Sequence, residues 1–193
     1  DTQDKLNHAY AFGGAEMAIN TVQELLDIPI HHYVSINMKG LKDLIDAVGG
    51  IEVDNTIGEF TLDGITVPAG KIKLDGTTGL AYARMRHEDP EGDVGRQRRQ
   101  REVLIELTNK LLSFNSLLKY QEILDVIGEH GETDLSFDQM MAMLKKYTPA
   151  LKTIETDQLK GYDYTGDGVT GIEGISYQLV EESERQRVEN AIK

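Results

Sequence analysis

The segment Ala81–Arg101 reads AYARMRHEDPEGDVGRQRRQR, and its charges constrain how the surrounding chain can fold. Six of the chain's eight arginines lie within it: Arg84, Arg86, Arg96, Arg98, Arg99 and Arg101. Because the whole chain carries a formal net charge of −13, this segment is a cationic island in an acidic protein. Such a dense cluster is typical either of an anion-binding site or of an exposed, charged helix face.

Spacing divides the cluster into an extended part and a helical part. Arg84 and Arg86 are two residues apart, which places them on one face of an extended segment but on opposite sides of a helix. The following residues, HEDPEGD, predict a loop. Asp93 predicts the start of a helix, because a carboxylate suits the positive end of the helix dipole.

An apolar stripe orients the helix that follows. Apolar residues recur at helical spacing at Leu104, Leu107 and Leu111. Stepping back in fours from Leu104 reaches Gln100 and then Arg96, so the stripe predicts that Arg96 points inward at the start of the helix.

An inward guanidinium needs a partner, because a buried, unpaired charge is very costly. One possible partner is phosphate, which arginine binds with two parallel hydrogen bonds and which helix N-terminal amides also favour. The other is intramolecular pairing with the acidic residues of the segment, which are Glu88, Asp89, Glu91 and Asp93. Spacing alone leaves both alternatives open.

Length and composition indicate a globular protein of one domain. The 193 residues are 39% apolar and 27% charged. The net charge of −13 argues against nucleic acid as the main partner. The absence of cysteine excludes disulfides and thiolate metal sites, and it is compatible with an extracytoplasmic location. No window approaches 18 apolar residues, and the chain opens at Asp1 without a methionine, so we interpret it as a piece of a longer protein, which is compatible with an upstream anchor.

Strand and helix patterns alternate along the chain. Helices are predicted at 17–26, 41–48, 79–82, 103–112, 117–127, 137–147 and 181–192. Strands are predicted at 31–38, 51–53, 154–156 and 176–180, and a hairpin with an Asp63-Gly64 turn at 60–67. This alternation predicts an α/β fold, an α-β-α sandwich with helices on both faces of a central mixed sheet.

Other polar groups give weaker indications of a site. His31 and His32 are adjacent in a predicted strand and point to opposite faces, so they do not suit one metal ion. Residues 163–168, DYTGDG, resemble the start of a calcium loop, but its twelfth position is Gly174 instead of Glu, so a plain turn fits better. Lys5 precedes the Gly13-Gly14 pair and offers a second anion donor, or else belongs to a solvated N-terminal arm.

Several ordered blocks resemble the LytR–CpsA–Psr family. They include KLNHAYAFGG at 5–14, YVSIN at 33–37 and LIDAVGGIEV at 44–53. The blocks LAYARMRH at 80–87 and GDVGRQRRQ at 92–100 carry the arginines, and GISY at 174–177 follows near the end. The resemblance covers most of the chain, and we therefore expect a single domain of this family over residues 1–193, truncated at its N-terminus.

The resemblance implies a bacterial phosphotransferase anchored to the extracytoplasmic face of the membrane. Such proteins move a cell-wall glycopolymer, such as teichoic acid or capsule, from a polyprenyl pyrophosphate carrier to peptidoglycan. The family's pyrophosphate-contacting arginines match Arg84, Arg86 and Arg96. Gln100 matches a further phosphate contact, and Asp93 an acidic position for which we favour a role in orienting Arg96. Lys5 matches a basic position of the early block.

The resemblance also implies a magnesium ion and an apolar channel for the polyprenyl tail. The family's metal carboxylates lie upstream of the Lys5 block, so we expect no metal ligands in this chain and no activity from it alone. Apolar pattern suggests Val34, Ile36, Leu41, Leu44 and Ile45 as channel residues, and core packing explains them equally well. The alternatives are a non-catalytic module that binds polyprenyl phosphate or another anion, and a transcriptional regulator, a label that this family has often carried.

Overall fold

The computed structural model describes residues 4–113, 117–147, 154–166 and 174–193. The chain divides into two compact units. One consists of Asp1–Tyr33 together with Glu155–Lys193, and the other of Val34–Ile154. The arginine-rich segment and most of the buried apolar residues belong to the second unit.

Both units contain helices and strands. The helices are α1 (Leu6–Leu26), α2 (Met38–Ala47), α3 (Gly76–Arg84), α4 (Gly92–Ser113), α5 (Leu117–His130), α6 (Phe137–Tyr147) and α7 (Glu182–Ile192). The strands are β1 (Val34–Ile36), β2 (Ile51–Asn55), β3 (Phe60–Leu62), β4 (Ile65–Val67), β5 (Gly70–Leu74), β6 (Gly131–Thr133), β7 (Tyr162–Gly166) and β8 (Ile175–Leu179). None of the helices in the described ranges is long and apolar enough to cross a membrane.

The predicted α/β class is confirmed. The described strands pair as antiparallel two-stranded ladders, β1 with β6, β2 with β5, β3 with β4 and β7 with β8. In the longest pairing of the second unit, Ile51 lies opposite Leu74 and Val53 opposite Ile72. Alternate residues of β2 are buried and exposed, as expected for a strand with one face on the core.

The hairpin predicted around Asp63-Gly64 is confirmed. Both residues have positive φ, 51° and 80°, the conformation that a two-residue turn between twisted strands requires. The hydroxyls of Thr61 and Thr66 lie 3.0 Å apart across the ladder. Local turn chemistry therefore accounts for this element without help from the rest of the fold.

The core of the second unit lies where α3 packs on α2, α4 and the neighbouring strands, and where α4 packs on β2. Its fully buried members include Ile45, Ile51, Val67, Leu74, Tyr82, Val103 and Leu107. Gly79 allows α3 to approach α2, since a Cβ there would stand 2.7 Å from Ile45 Cδ1. The close approach holds α3 against α2, and the C-terminal end of α3 forms the start of the arginine-rich segment Ala81–Arg101.

Several predicted boundaries are wrong. Helix α1 begins at Leu6, well before the predicted start, and Gly13-Gly14 forms a kink within it. Residues 154–156 are irregular, and the strand lies at Tyr162–Gly166 instead. Strand β6 was not predicted. Positions 167 and 168 of the calcium-like motif lie outside the described residues.

The predicted stripe of α4 is displaced by one position. The buried residues of the helix are Gly95, Arg99, Val103 and Leu107, whereas Leu104 is 58% exposed. Stepping back in fours from Leu107 gives the correct face, and stepping from Leu104 does not. The charged residue that enters the interior is therefore Arg99 and not Arg96.

We expect the two leucines of α4 to respond differently to truncation. Leu107→Ala leaves a cavity in the core and should lower the free energy of unfolding by about 2–5 kcal/mol. Leu104→Ala is the matched control, because it removes the same atoms from an exposed site and should change stability by less than about 0.5 kcal/mol. Denaturant unfolding of both variants checks this, and equal losses would contradict the observed face.

Candidate anion-binding site

Arg84 and Arg86 lie on either side of a buried residue at the end of α3. The helix begins with a capping box between Asp75 and Thr78 and ends at Arg84. Met85 follows with an extended ψ of 138° and a buried side chain, so Arg84 and Arg86 both remain exposed. Both guanidiniums are exposed, but the extended conformation that their spacing predicted begins only at Met85, because Arg84 is the last residue of α3.

Arg86 and Arg96 converge on the Asp93 carboxylate. Oδ1 of Asp93 lies 2.6 Å from Arg96 Nη2 and 3.6 Å from Arg86 Nε. The other carboxylate oxygen accepts a hydrogen bond of 3.0 Å from the Gln97 amide. Since two guanidiniums share one carboxylate, the group keeps a net positive charge at the partly exposed first turn of α4.

Arg84 stands at the edge of a separate small cleft. Its Nη1 lies 2.9 Å from Asp63 Oδ2, at the tip of the β3–β4 hairpin. The cleft has a volume of about 140 Å³. Its lining combines these charges with Lys42 and with apolar side chains, among them Leu62, Ile65 and Leu80.

Arg99 is the buried arginine of the segment, with only 2% of its side chain exposed. Its Nη1 donates to Asp89 Oδ2, its Nη2 to the Met85 carbonyl and its Nε to the Tyr82 carbonyl at 3.0 Å. The guanidinium also lies 5.8 Å from the centre of the Tyr82 ring. An intramolecular carboxylate is therefore the partner of the inward charge, which was one of the two alternatives that the sequence offered.

Asp89 remains ionised because its surroundings compensate for its burial. Burial by itself raises the pKa of this carboxyl, but hydrogen bonds from the Glu91 N–H and the Arg99 guanidinium bring the pKa below its ordinary value of 3.8. The Glu91 bond is 2.7 Å long, and the Gly92 N–H donates to the Asp89 carbonyl at 2.9 Å. Asp89 thus organises the loop that leads into α4.

A second, partly buried contact joins α3 to α4. The Tyr82 hydroxyl donates to Glu102 Oε2 at 2.7 Å. Burial raises the pKa of the Tyr82 phenol, and the adjacent Glu102 carboxylate raises it further, so the phenol stays a neutral donor. Tyr82 therefore links the two helices through both its side chain and its carbonyl.

The remaining predicted site residues occupy several environments. The Gln100 amide donates to the Ala83 carbonyl at 3.4 Å, close to Arg84 in the chain. Lys5 belongs to the first unit, where its ammonium lies 5.3 Å from the Tyr177 ring. Both assignments as phosphate contacts stay predictions.

The five predicted channel residues differ in burial. Ile45 is fully buried in the core, and Leu41 and Leu44 pack against it. Ile36 is partly buried, and Val34 is exposed. None of them lines the cleft beside Arg84. Their role along a lipid tail stays a prediction, and core packing explains the burial of Ile45, Leu41 and Leu44.

The model of the LytR_cpsA_psr family matches residues 1–193. The chain belongs to this family. A relative from Enterococcus faecalis, named polyisoprenyl-teichoic acid–peptidoglycan teichoic acid transferase TagU, is 52% identical over 191 residues, which are 99% of this chain and 61% of that protein. The chain thus spans about 61% of the length of this relative.

Solved structures of the LytR–CpsA–Psr family share the fold. A crystal structure from Enterococcus faecalis, described as a transcriptional regulator, has a TM-score of 0.88 and 66% identity and covers 100% of this chain and 69% of its own. The structure of TagT bound to LIIa-WTA has a TM-score of 0.77 and 27% identity, and the match covers 98% of this chain and 70% of the TagT chain.

Sequence reasoning missed the Arg99–Asp89 pair of this family member. A signal was present, because Gly95, Arg99, Val103 and Leu107 follow one another at intervals of four. The small residue at the start of that series allows the approach, since a Cβ on Gly95 would overlap the Asp89 carboxylate. The series from Leu104 back to Gln100 and Arg96 indicated the neighbouring face of the helix instead.

We expect Gly95→Ala to destabilise the protein, because the new methyl group displaces Asp89 from Arg99. The loss should be about 1–3 kcal/mol, the usual cost of overpacking. Gly128→Ala in α5 is the matched control, since its methyl group meets nothing within 4 Å. That variant should gain about 0.5–1 kcal/mol from the Gly→Ala change in a helix, and thermal unfolding of the pair measures the contrast.

Acid should remove the contribution of Asp89 to stability. A carboxyl whose pKa is lowered in the folded protein stabilises it at neutral pH, and that stabilisation is lost as the pH falls below 3.8 and through the folded pKa. We therefore expect the difference in unfolding free energy between wild type and Asp89→Asn to be largest near pH 7 and to shrink below pH 4. A difference that stays constant over this range, measured by denaturant unfolding, would refute the assignment.

Proposed function

We propose that this chain is the pyrophosphate-binding part of a phosphotransferase that moves a cell-wall glycopolymer from a polyprenyl pyrophosphate carrier to peptidoglycan. The observation that carries the proposal is the convergence of Arg86 and Arg96 on one carboxylate oxygen of Asp93. A site that holds one anionic oxygen between two guanidiniums suits a phosphate oxygen equally well. The name of the TagU relative supports the same reaction.

The proposed reaction assigns a part to each of Arg84, Arg86 and Arg96. A hydroxyl oxygen of peptidoglycan attacks the phosphorus that carries the polymer, a new P–O bond forms, and the bond to the bridging oxygen breaks. Polyprenyl phosphate leaves with the electron pair, and the hydroxyl proton passes to a base or to water. Negative charge grows on the bridging and leaving oxygens, where positioned guanidiniums stabilise it. Arg84 and Arg86 hold the two phosphates, and Arg96 neutralises the leaving group.

Asp93 orients Arg96 in this scheme. Its distance of 2.6 Å from Arg96 Nη2, together with the Gln97 bond to its other oxygen, fixes the carboxylate on the first turn of α4. Both oxygens of Asp93 are already engaged, Oδ1 with the arginines and Oδ2 with Gln97. We therefore propose a positioning role for Asp93 in preference to a basic one, with Gln100 as a further phosphate contact.

Magnesium, which the family resemblance implies, does not fit the carboxylates described here. Asp63, Asp89 and Asp93 each pair with a guanidinium. Within the described ranges there is no group of three or more His, Cys, Asp or Glu side chains that could hold a metal ion. No step of the proposed reaction therefore runs through a metal bound to these residues, and the magnesium requirement stays a proposal about the whole enzyme.

The proposed location is the extracytoplasmic face of the bacterial cell membrane, where the carrier and peptidoglycan meet. The cysteine-free sequence is compatible with that compartment. A regulatory role in binding DNA is less compatible with the net charge of −13. Sub-micromolar, salt-sensitive binding of duplex DNA would reverse that preference.

We expect Arg84→Ala or Arg86→Ala in the full-length protein to abolish polymer attachment while the fold remains intact. Loss of one well-placed donor to the transition state costs roughly 3 kcal/mol, or about a hundredfold in rate. The matched control is Arg98→Ala, which removes an exposed arginine of the same cluster that pairs with Glu91. Transfer of labelled polymer to peptidoglycan is the measurement, and wild-type transfer by either site variant would defeat the enzymatic proposal.

The alternative of a non-catalytic binding module predicts a different outcome. Such a module would bind the carrier through the same arginines without transferring the polymer. Mass spectrometry of lipid that co-purifies with the full-length protein identifies the carrier, and the transfer assay then separates binding from catalysis. Carrier binding without transfer by the wild type would favour the module.

A further inference from the structure

The Arg99 guanidinium binds the chain on both sides of Arg84 and Arg86. Its Nε holds the Tyr82 carbonyl at 3.0 Å, before Arg84. Its Nη2 holds the Met85 carbonyl, between the two exposed arginines, and its Nη1 holds Asp89, after Arg86. Three donors of one planar group thus determine the path of eight consecutive residues.

The same contacts reach the first turn of α4. Asp89 accepts from the Glu91 N–H through its carboxylate and from the Gly92 N–H through its carbonyl. Gly92 begins α4, and Asp93 follows it. Arg99 itself lies three residues after Arg96 on that helix. The buried guanidinium therefore contacts the backbone next to Arg84 and Arg86, and it extends from the same helix as Arg96.

We propose that Arg99 is a positioning residue of the pyrophosphate site, and that its three-point contact sets the places of Arg84 and Arg86 relative to Arg96. The effect of Arg99 on pyrophosphate binding rests on the proposed function, whereas its effect on the backbone of the arginine-rich segment does not. Arg99 is buried and does not reach the anion itself; it acts by holding the backbone from which the exposed guanidiniums extend.

Only a planar fork of donors can make these contacts together. Lysine keeps the charge, but its single ammonium cannot replace three donors held in fixed directions. Net stability alone does not require such a group, because well-packed apolar residues often replace buried ion pairs without loss. Geometric control of the arginine segment is a function that an apolar replacement would not supply.

The first test compares Arg99→Lys with Arg98→Lys in the full-length protein. The control alters the adjacent arginine, whose ion pair with Glu91 is half exposed. Peptide-level hydrogen exchange should rise at least about tenfold over residues 85–93 in Arg99→Lys, and stay unchanged over the β2–β5 ladder and throughout the control. Wild-type exchange over residues 85–93 would overturn the positioning role.

Asp89→Asn is a second variant for the case that Arg99→Lys fails to fold. It weakens one of the three contacts and leaves both carbonyls available to Arg99. We expect exchange over residues 85–93 to rise by a smaller factor than in Arg99→Lys. If exchange rises equally over the whole second unit, the pair supports general stability and the positioning role is wrong.

The second test is a double-mutant cycle with farnesyl pyrophosphate as the probe. Arg99→Lys should weaken binding about tenfold in the wild-type background. In the Arg86→Ala background, the factor by which Arg99→Lys weakens binding should be at least about threefold smaller, because one of the groups that Arg99 positions is already absent. Equal losses in both backgrounds indicate a merely structural role and would overturn the inference.

The two tests separate this inference from the proposed function. If wild type and Arg84→Ala bind farnesyl pyrophosphate equally weakly, the proposed function and the pyrophosphate part of the inference both fail. The hydrogen-exchange comparison still decides whether Arg99 fixes the segment. If wild type binds and the cycle is additive, the proposed function stands and the positioning inference alone fails.

Discussion

A charged pair removed from water determines how the arginine-rich segment folds. Arg99 is 2% exposed and Asp89 has no exposed side-chain surface, so neither charge can recover its hydration. The folded chain compensates with the mutual attraction of the pair, two backbone carbonyls for Arg99 and a backbone N–H for Asp89. Such compensation depends on geometry, because each missing contact would leave a buried group unsatisfied. The end of α3, the loop and the start of α4 are therefore tied to one arrangement.

Elements with strong local signals could be predicted from the sequence. Asp63-Gly64 prescribes its own turn, and the alternation in Ile51–Asn55 follows from a single face on the core. Strand β6 has no such signal: Gly131-Glu132-Thr133 is strand only because β1, distant in sequence, lies beside it. The helix predicted from residue 17 begins at Leu6, because the glycine pair that is typical of a helix boundary forms a kink inside α1 instead. Local chemistry thus specifies turns and faces, while pairing partners come from tertiary contacts.

The candidate site shows the same division. Spacing correctly placed Asp93 in the first turn of a helix, but Arg84, which was expected in an extended segment, is the last residue of α3. The prediction was wrong for the inward-pointing arginine, which is Arg99, because apolar residues alone do not mark the buried face of α4. On α4 the buried face begins with a glycine and an arginine, and Leu104 lies outside it. A charged residue in the interior breaks the usual pattern, and only its partner, ten residues away in a loop, makes the position favourable.

The contrast between buried and exposed ion pairs explains how the site can be both ordered and available. Arg84, Arg86 and Arg96 pair with Asp63 and Asp93 at positions that are a third or more exposed. Ion pairs of this kind contribute little to stability, so an incoming anion can replace Asp63 at Arg84 and the 3.6 Å contact of Asp93 at Arg86 at small cost. A pyrophosphate offers more oxygens and more charge than one carboxylate, which gives it the advantage at these two arginines, while the closer contact with Asp93 continues to orient Arg96. The buried pair takes no part in the exchange, and the backbone beneath the exposed guanidiniums keeps its place while their partners change.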